Sequence, residues 1–308
     1  MNNTVLIVGL GKIGMLNRNN KNNFNNHADL FYNSSKFKLL GGVDINKKNV
    51  LQFKKKYSLK AYLNFKKAYY RLKPNIILIS VDTLSVSKIY IEIIKNEIRP
   101  DTFILEKPGS FNYYDLKNFK DYCKKKKINL IVNYQRNFSN LNIIIKKNIF
   151  KIKNAEKIKK IEIIYKKGLF NSCSHYLNFL LSILSQNCFN NLEIKKRYKN
   201  YSTLDYFLDF SFNSNILINF KYKEKQDEKI IFIYNKFKKI IYKTERKQVY
   251  SLNKKKQKKI ISDINLCQQN LLKQFDVIIK KKNYLLKNSL LTLKLLNRVK
   301  NNLLNSDL

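Results

Sequence analysis

Glycine, proline and tryptophan are scarce in this sequence, which has seven glycines, three prolines and no tryptophan in 308 residues. Ordinary usage of about 7% would give roughly 21 glycines. Because so few are present, the position of each glycine is more informative than usual. Three of the seven are Gly9, Gly11 and Gly14, and Gly41 and Gly42 lie within a later apolar segment that ends before Asp44.

Cysteines and long apolar runs are also limited. The four cysteines stand far apart and form no Cys-x-x-Cys pair, so the sequence predicts neither a metal site nor a disulfide framework. No apolar run reaches the roughly 18 residues of a transmembrane helix. The N-terminus lacks the charged-then-apolar pattern of a signal peptide. We therefore expect a cytoplasmic protein without a membrane partner.

Acidic residues are few, and the charge is strongly one-sided: 62 Lys and Arg against 21 Asp and Glu give a net charge of +41. Taken alone, this charge favours binding to nucleic acid or an anionic membrane. The lysines, however, are spread over the whole chain, and Asn and Ile are inflated with them, as AT-rich codon bias produces. We expect no nucleic-acid partner, and a basic nucleic-acid-binding protein is the alternative.

A glycine-rich motif follows the first apolar segment. Residues 4–8 are β-branched and apolar and predict a short buried strand. The strand runs into Gly-x-Gly-x-x-Gly, in which the glycines allow a tight turn, close approach of a pyrophosphate and close packing of the next helix. The predicted phosphate-binding residues are Gly9, Gly11, Lys12, Ile13 and Gly14.

Asp44 ends the second predicted strand. A carboxylate there accepts a hydrogen bond from a ribose 2′-hydroxyl and repels a 2′-phosphate, which favours NAD over NADP. The alternative is that Asp44 only begins a turn. Its distance from Gly14 is about half as long again as the usual 20 residues. The surplus is the mostly asparagine segment 17–26, which we interpret as a polar loop within a first helix that resumes near His27.

Strands and helices alternate through the first 135 residues. Beyond Asp44 the patterns predict helices over 47–57, 62–72, 86–98 and 113–127, and strands over 75–81, 102–105 and 128–132. This rhythm predicts a doubly wound parallel sheet, whose ligand lies at the carboxyl ends of the strands. Besides the glycine loop, the residues predicted at these ends are Asp44, Ser80, Glu106, Lys107 and Tyr134, the first four as cofactor contacts.

From about residue 136 the pattern changes to consecutive strands. Strands are predicted over 158–165, 192–198, 204–212, 216–222, 230–234 and 240–242, and helices over 141–149, 177–184, 271–279 and 290–304. Strands without helices between them predict an antiparallel sheet. With 44% hydrophobic residues the chain can hold two cores. We expect an α/β protein with a dinucleotide-binding Rossmann domain over 1–135 and an α+β domain with a mostly antiparallel open sheet over 136–308.

Two side chains are candidates for proton handling. Lys107 lies at the end of a strand, beside Glu106 and before Pro108, where an ammonium group could hydrogen-bond a substrate hydroxyl. His175 is predicted at the start of an apolar helix, and histidine titrates near neutral pH, as a general acid or base should. The alternatives are an ordinary surface lysine and a hydrogen-bonded structural histidine. We expect a structural role for His27.

Together these motifs resemble the glucose-fructose oxidoreductase, inositol dehydrogenase and MocA-like oxidoreductases, the Gfo/Idh/MocA family, over nearly the whole chain. The resemblance is carried by Gly9-x-Gly11-x-Ile13-Gly14, His27-Ala28, Gly42-Val43-Asp44-Ile45, Glu106-Lys107-Pro108, Asn133-Tyr134-Gln135-Arg136 and Ser174-His175. It implies bound NAD(P) and hydride transfer at a carbinol carbon of a sugar, sugar derivative or cyclitol. It also implies a second domain often used for substrate binding and homo-oligomerisation.

The resemblance also implies roles for single residues. Lys107 resembles the lysine that contacts nicotinamide and the reacting hydroxyl, and His175 resembles the catalytic histidine. Tyr134 and Arg136 fall in the segment that leads into the substrate cleft. Asn171 stands where the family usually has an aspartate, and an amide cannot take a proton. The expected function is an NAD(P)-dependent oxidoreductase, and the alternative is a catalytically impaired homologue that binds dinucleotide without turnover.

Overall fold

The computed structural model describes residues 3–17, 26–138, 158–198, 205–234, 238–243, 248–253, 256–261 and 282–305. The predicted helices over 141–149 and 271–279, and most of the asparagine-rich segment, lie outside these ranges. The chain divides into two compact units. The first runs to Gln135 and includes the beginning of the last helix, up to Leu290; the second begins at Arg136 and includes that helix from Leu291.

Six parallel strands form the sheet of the first unit. They are β1 (Asn3–Val8), β2 (Phe37–Val43), β3 (Lys60–Tyr62), β4 (Ile76–Ile79), β5 (Thr102–Glu106) and β6 (Asn129–Asn133). Their order is β3-β2-β1-β4-β5-β6, and all neighbouring pairs are parallel. The predicted doubly wound sheet is therefore confirmed. The order reverses between β1 and β4, which places the ligand crevice at their carboxyl ends.

Five helices connect these strands. They are α1 (His27–Tyr32), α2 (Lys47–Tyr57), α3 (Phe65–Leu72), α4 (Val86–Lys95) and α5 (Tyr113–Lys125). Four begin at an asparagine whose side-chain oxygen accepts a backbone N–H of the first turn: Asn26, Asn46, Asn64 and Asn112. Such caps satisfy donors that have no partner within the helix. Asparagine enrichment is thus used locally to start helices.

Three predicted helices of this unit are too long: the one over 86–98 ends at Lys95, the one over 113–127 ends at Lys125, and the one over 62–72 starts late. The prediction over 62–72 begins only at Phe65, because Asn64 caps that end. Residues Lys60–Tyr62 instead pair with β2 as an edge strand that the sequence pattern did not predict. A three-residue strand that begins with an exposed lysine carries no periodic signal, so its partner strand determines its structure.

The second unit contains an eight-stranded sheet. Its strands are β7 (Lys160–Tyr165), β8 (Leu192–Tyr198), β9 (Phe207–Asn213), β10 (Leu217–Tyr222), β11 (Lys229–Ile233), β12 (Lys238–Lys243), β13 (Gln248–Asn253) and β14 (Lys256–Ile261). The order is β14-β13-β12-β11-β7-β10-β9-β8, and among the described strands of this second sheet only β7 and β10 pair in parallel. The predicted mostly antiparallel sheet is confirmed, although β13 and β14 were not predicted.

Two helices belong to this part of the chain. Helix α6 (Ser174–Leu181) directly follows a π-helical turn, Leu169–Cys173, and so begins before the predicted residue 177. Helix α7 (Lys282–Asn305) also begins earlier than predicted. Short 3₁₀ turns cover Gln135–Phe138 and Gln186–Phe189. Within the described ranges, no helix is both long and apolar enough to cross a bilayer.

Candidate functional site

The glycine-rich turn joins β1 to a five-residue π-helical turn, Lys12–Leu16. Gly9 has a φ of +94°, a conformation that favours glycine, and a Cβ there would lie 2.7 Å from the backbone of Ser80. A Cβ on Gly14 would lie 2.0 Å from the carbonyl oxygen of Gly9. The turn can therefore close this tightly only because both positions lack a side chain.

Gly11 differs from these two glycines, because a Cβ added there would meet no protein atom within 4 Å. The first hydrogen bond of the helical turn is donated by the Met15 N–H to the Gly11 oxygen at 2.8 Å. The amides of Lys12, Ile13 and Gly14 therefore precede the first donor of the turn. Free amides at the start of a helical turn bind anions. Open space beside Gly11 and these amides fit the pyrophosphate of a dinucleotide.

Asp44 follows β2 and holds the glycine turn. Its Oδ2 accepts hydrogen bonds from the Leu10 N–H at 2.8 Å and Asn49 Nδ2 at 3.0 Å, and its Oδ1 accepts one from the Asn46 N–H at 2.8 Å. These donors fix the carboxylate in place. Because two carboxylate oxygens offer about four acceptor positions, one position remains for a ribose hydroxyl. Asp44 thus shapes the loop and fits the predicted ribose contact.

Ser80 follows β4, next to β1 at the point where the strand order reverses. Its N–H donates to the Val8 oxygen at 2.8 Å, and its hydroxyl donates to the Gly9 oxygen at 2.7 Å. Ser80 therefore stabilises the turn from the neighbouring strand. Its direct contact with a cofactor stays a prediction.

Glu106 ends β5, and two buried side chains hold its carboxylate. Oε1 accepts a hydrogen bond from Asn133 Nδ2 at 2.8 Å and lies 2.8 Å from His27 Nε2. His27 and Asn133 are fully buried, whereas 15% of the Glu106 side chain is exposed. Burial opposes ionisation, but the hydrogen bonds from His27 and Asn133 and the charge of Lys107 together lower the pKa of Glu106.

Lys107 and Tyr134 stand at the same edge of the sheet as Glu106. Lys107 is half-buried, and its peptide bond to Pro108 is cis. Tyr134, which follows β6, is only 2% exposed, so its side chain is part of the interior. The first unit thus brings the glycine loop, Asp44, Ser80 and Glu106-Lys107 to the carboxyl ends of its strands, as predicted from their positions.

Arg136 belongs to the second unit, where it pairs with a buried glutamate. Arg136 Nη2 lies 3.1 Å from Glu228 Oε2, which also accepts the Tyr176 hydroxyl at 2.9 Å. The guanidinium lies over the Tyr176 ring, 5.3 Å from its centroid. Glu228 is 2% exposed. Burial opposes its ionisation, but the Arg136 charge and the hydrogen bonds from Ser172 and Tyr176 lower the pKa of Glu228.

Asn171 and His175 lie one helical turn apart in the second unit. Asn171 is exposed in the π-helical turn Leu169–Cys173, and His175 is the second residue of α6 with 7% of its surface exposed. Arg136 reaches this segment through Tyr176, the neighbour of His175. Lys107 belongs to the first unit, so its joint action with His175 is part of the functional proposal.

Two carboxylates of the second unit, Glu228 and Asp205, are not indicated by any sequence motif. Glu228 stands in the polar run Lys-Glu-Lys-Gln-Asp-Glu-Lys, which looks like a solvated turn. Asp205 falls inside the predicted strand over 204–212, whereas in the structure it precedes β9, which begins at Phe207. The rarity of acidic residues in this chain is the one signal that could have drawn attention to them, and it does not distinguish them from other acidic residues.

A family model matches the part of the chain that forms the first sheet. Residues 3–134 match GFO_IDH_MocA, described as an oxidoreductase family with an NAD-binding Rossmann fold. The resemblance inferred from the motifs is therefore confirmed over these residues. Among curated proteins, none shows significant sequence similarity to the chain.

Solved structures share the fold over nearly the full length. An oxidoreductase from Agrobacterium radiobacter, in complex with NAD+, L-tartaric acid and magnesium, has a TM-score of 0.73 at 10% identity and covers 96% of this chain and 95% of its own. A mutant of the 3-ketoreductase KijD10 from Actinomadura kijaniata, in complex with TDP-benzene and NADP, has a TM-score of 0.75 at 7% identity. The alignment covers 96% of this chain and 95% of the KijD10 chain. UDP-N-acetylglucosamine 3-dehydrogenase GnnA from Acidithiobacillus ferrooxidans has a TM-score of 0.68 at 8% identity, and the alignment covers 97% of each chain. At these identities the similarity shows the fold.

Proposed function

Residues 3–134 match the model of the Gfo/Idh/MocA oxidoreductases, and from this match we propose that the chain transfers a hydride between a nicotinamide dinucleotide and a carbinol carbon of a sugar, sugar derivative or cyclitol. The observation that carries the proposal is the glycine turn. Protein atoms close the turn around Gly9 and Gly14, whereas the space beside Gly11 is open. This asymmetry fits a turn that receives a pyrophosphate.

The first unit would hold the dinucleotide. The amides of Lys12, Ile13 and Gly14 would bind its phosphates, and Asp44 would bind the adenosine ribose. Because a fixed carboxylate repels a 2′-phosphate, we propose NAD as the preferred cofactor over NADP. The bound nicotinamide supplies the hydride acceptor or donor. Ser80 supports the loop, and Glu106 supports the strand end that carries Lys107.

Lys107 and His175 would handle the proton. In the oxidation direction the substrate carbon loses a hydride to nicotinamide and its hydroxyl loses a proton, so a base must accept that proton. We assign this role to His175, while the Lys107 ammonium hydrogen-bonds the hydroxyl and orients it. In the reduction direction His175 returns the proton. Arg136 and the exposed Asn171 are the proposed substrate-side residues, whereas the buried Tyr134 supports the sheet edge from the interior.

Nucleotide-linked sugars are the substrates we would test first. The KijD10 structure contains a TDP compound, and GnnA is a UDP-N-acetylglucosamine dehydrogenase. A cytoplasmic location, a homo-oligomeric state and the absence of a nucleic-acid partner remain predictions.

The second candidate function is dinucleotide binding without turnover. Asn171 favours it, because an amide one turn before His175 cannot exchange a proton with the imidazole as a carboxylate could. The two candidates share the first unit and differ only in what the second unit does.

Binding and turnover together distinguish them. NADH is titrated into the purified chain and followed by its fluorescence, and turnover is measured over a panel of sugars, cyclitols and nucleotide-linked sugars. Binding with turnover that His175→Asn abolishes supports the oxidoreductase. Binding without turnover supports the second candidate, and no binding at millimolar NADH contradicts both. DNA retention that survives Gly11→Val would favour the nucleic-acid alternative.

A further inference from the structure

Asp205 caps the turn that leads to His175. Its Oδ1 accepts hydrogen bonds from the Phe170 N–H at 2.9 Å and the Tyr206 N–H at 2.8 Å, and its Oδ2 accepts one from the Asn171 N–H at 3.0 Å. Two of these donors belong to the start of the π-helical turn, where amides have no acceptor within the turn. The carboxylate therefore fixes the first residues of the segment that carries Asn171.

Gly168 makes room for this carboxylate. Its φ is +81°, and a Cβ there would lie 2.5 Å from Asp205 Oδ2. A second link runs from the Leu169 N–H to the Tyr206 oxygen at 2.8 Å. In a chain with only seven glycines, Gly168 thus occupies a position where the backbone conformation and the nearby carboxylate both exclude a side chain.

The negative charge near this turn comes from outside it. Between Gly168 and His175 the sequence contains no acidic or basic side chain. Cys173 is buried, and burial, followed by the charges of Asp205 and Glu228, raises the pKa of its thiol. Both carboxylates therefore act on the segment just before His175. Glu228 is paired with Arg136, and Asp205 accepts hydrogen bonds from three backbone N–H groups.

We propose that Asp205 is the positioning residue for His175, fixing the turn Leu169–Cys173 through its amides and supplying the negative charge that Asn171 lacks. The proposal rests on the proposed catalytic role of His175. Asp205 acts through the backbone and the electric field and does not itself exchange a proton with substrate.

The chain offers a matched control in the adjoining strand. Asp209 of β9 also accepts a backbone N–H, from Tyr222 at 2.7 Å, and a tyrosine hydroxyl, from Tyr198 at 3.1 Å. Asp205→Asn and Asp209→Asn therefore remove the same charge and the same type of hydrogen bond, but only the first touches the turn. Asp205→Ser, which keeps a small acceptor, is the second variant in case the amide of Asn disturbs folding.

The readout is the titration of the two histidine ring signals by NMR in the full chain, without NADH or substrate. His175→Asn assigns the His175 signals. Removal of a negative charge favours neutral imidazole, so both Asp205 variants should lower the His175 ring pKa by about half a unit. They should also speed hydrogen exchange at the Phe170 and Asn171 amides, whereas Asp209→Asn should change neither.

An unchanged His175 titration in both Asp205 variants, or an equal shift in Asp209→Asn, overturns the proposal. Because the titration needs no turnover, it separates this inference from the proposed function. If the wild-type chain binds no NADH but the shift is found, the oxidoreductase assignment fails and the positioning role stands. Where turnover is present, Asp205→Asn should lower kcat by about tenfold or more and leave NADH affinity unchanged, since the dinucleotide contacts lie in the first unit.

Discussion

His27 Nε2 lies 2.8 Å from Glu106 Oε1, and this contact joins the start of α1 to the end of β5. His27, which follows the asparagine-rich segment, is fully buried and stabilises the end of β5 beside Lys107. Asn133 completes the arrangement from β6. The three side chains thus connect α1 with the carboxyl ends of β5 and β6, where Lys107 lies.

Replacing Glu106 by Gln should destabilise the fold. The variant keeps the shape but loses the negative charge that strengthens the hydrogen bonds from His27 and Asn133, so we expect a loss of about 1–3 kcal/mol in the free energy of unfolding. Urea denaturation measures it. Glu97→Gln is the control, because Glu97 is paired with Arg99 and Lys126 on the surface. Removing its charge should cause no detectable change in the free energy of unfolding. Equal effects of the two variants would contradict the assigned role of Glu106.

Alanine at Gly11 and at Gly14 should have opposite effects on stability. Gly11→Ala meets no protein atom, so the fold should be as stable as wild type or about 0.4–1 kcal/mol more stable. Gly14→Ala forces a methyl group against the Gly9 oxygen and should cost more than that gain. Thermal unfolding checks both variants.

The same pair tests the cofactor site, because Gly11→Ala fills the space assigned to the pyrophosphate. We expect NADH to bind this folded variant at least about tenfold more weakly than wild type, which corresponds to 1.4 kcal/mol. Fluorescence titration measures the affinity. If a folded Gly11→Ala chain binds NADH as tightly as wild type, the dinucleotide does not bind at this turn.

Asp44→Asn should reduce the preference for NADH over NADPH. The amide removes the charge that repels a 2′-phosphate, and we expect the ratio of the two dissociation constants to fall by about tenfold. Asp101→Asn is the control, because Asp101 is an exposed carboxylate at the amino end of β5 that accepts a hydrogen bond from Asn75. A wild-type chain that already prefers NADPH would contradict the assignment of NAD.

The elements that the sequence predicted best are those with a local cause. β1 and its glycine turn occupy consecutive residues, and the bend, the close packing and the open position all follow from the absence of a Cβ. Helix α2 begins and ends at its predicted residues because Asn46 caps it and Val50, Phe53 and Tyr57 form one buried face. The parallel sheet followed from the alternation of such elements.

The parts that could not be predicted depend on partners far away in the chain. Residues 60–62 form a strand only because β2 offers its edge. Glu228 matters because folding brings it to Arg136 and Tyr176, and Asp205 because folding brings it to Gly168. No spacing rule links these residues, so a single sequence does not mark them.

Breaking the Arg136–Glu228 pair should cost stability. Arg136→Met leaves a buried carboxylate without its cation, for which we expect a loss of up to about 3 kcal/mol, reduced from the fully buried case because a third of the Arg136 side chain is exposed. Arg136→Met with Glu228→Gln should recover part of this loss, so a double-mutant cycle in urea gives the coupling. Arg99→Met, in an exposed pair, is the control. Additive effects at Arg136 and Glu228 would show that the pair is not coupled.

Glu228 should also make the second unit sensitive to acid. Its pKa in the folded chain lies below the ordinary value of 4.5, chiefly because the Arg136 charge and the Ser172 and Tyr176 hydrogen bonds outweigh burial. A depressed carboxylate pKa contributes stability that is complete above the unfolded value and is lost as the pH falls below 4.5 toward the folded pKa.

The free energy of unfolding of the wild-type chain should therefore decrease from about pH 6 to pH 3, and the decrease should be smaller in Glu228→Gln. Urea denaturation at several pH values gives both slopes. Glu224→Gln, four residues earlier on the exposed turn before β11, is the control and should keep the wild-type slope. If Glu228→Gln also keeps it, Glu228 is already protonated in the folded chain at neutral pH, and Arg136 is held by its contact with the Tyr176 ring instead.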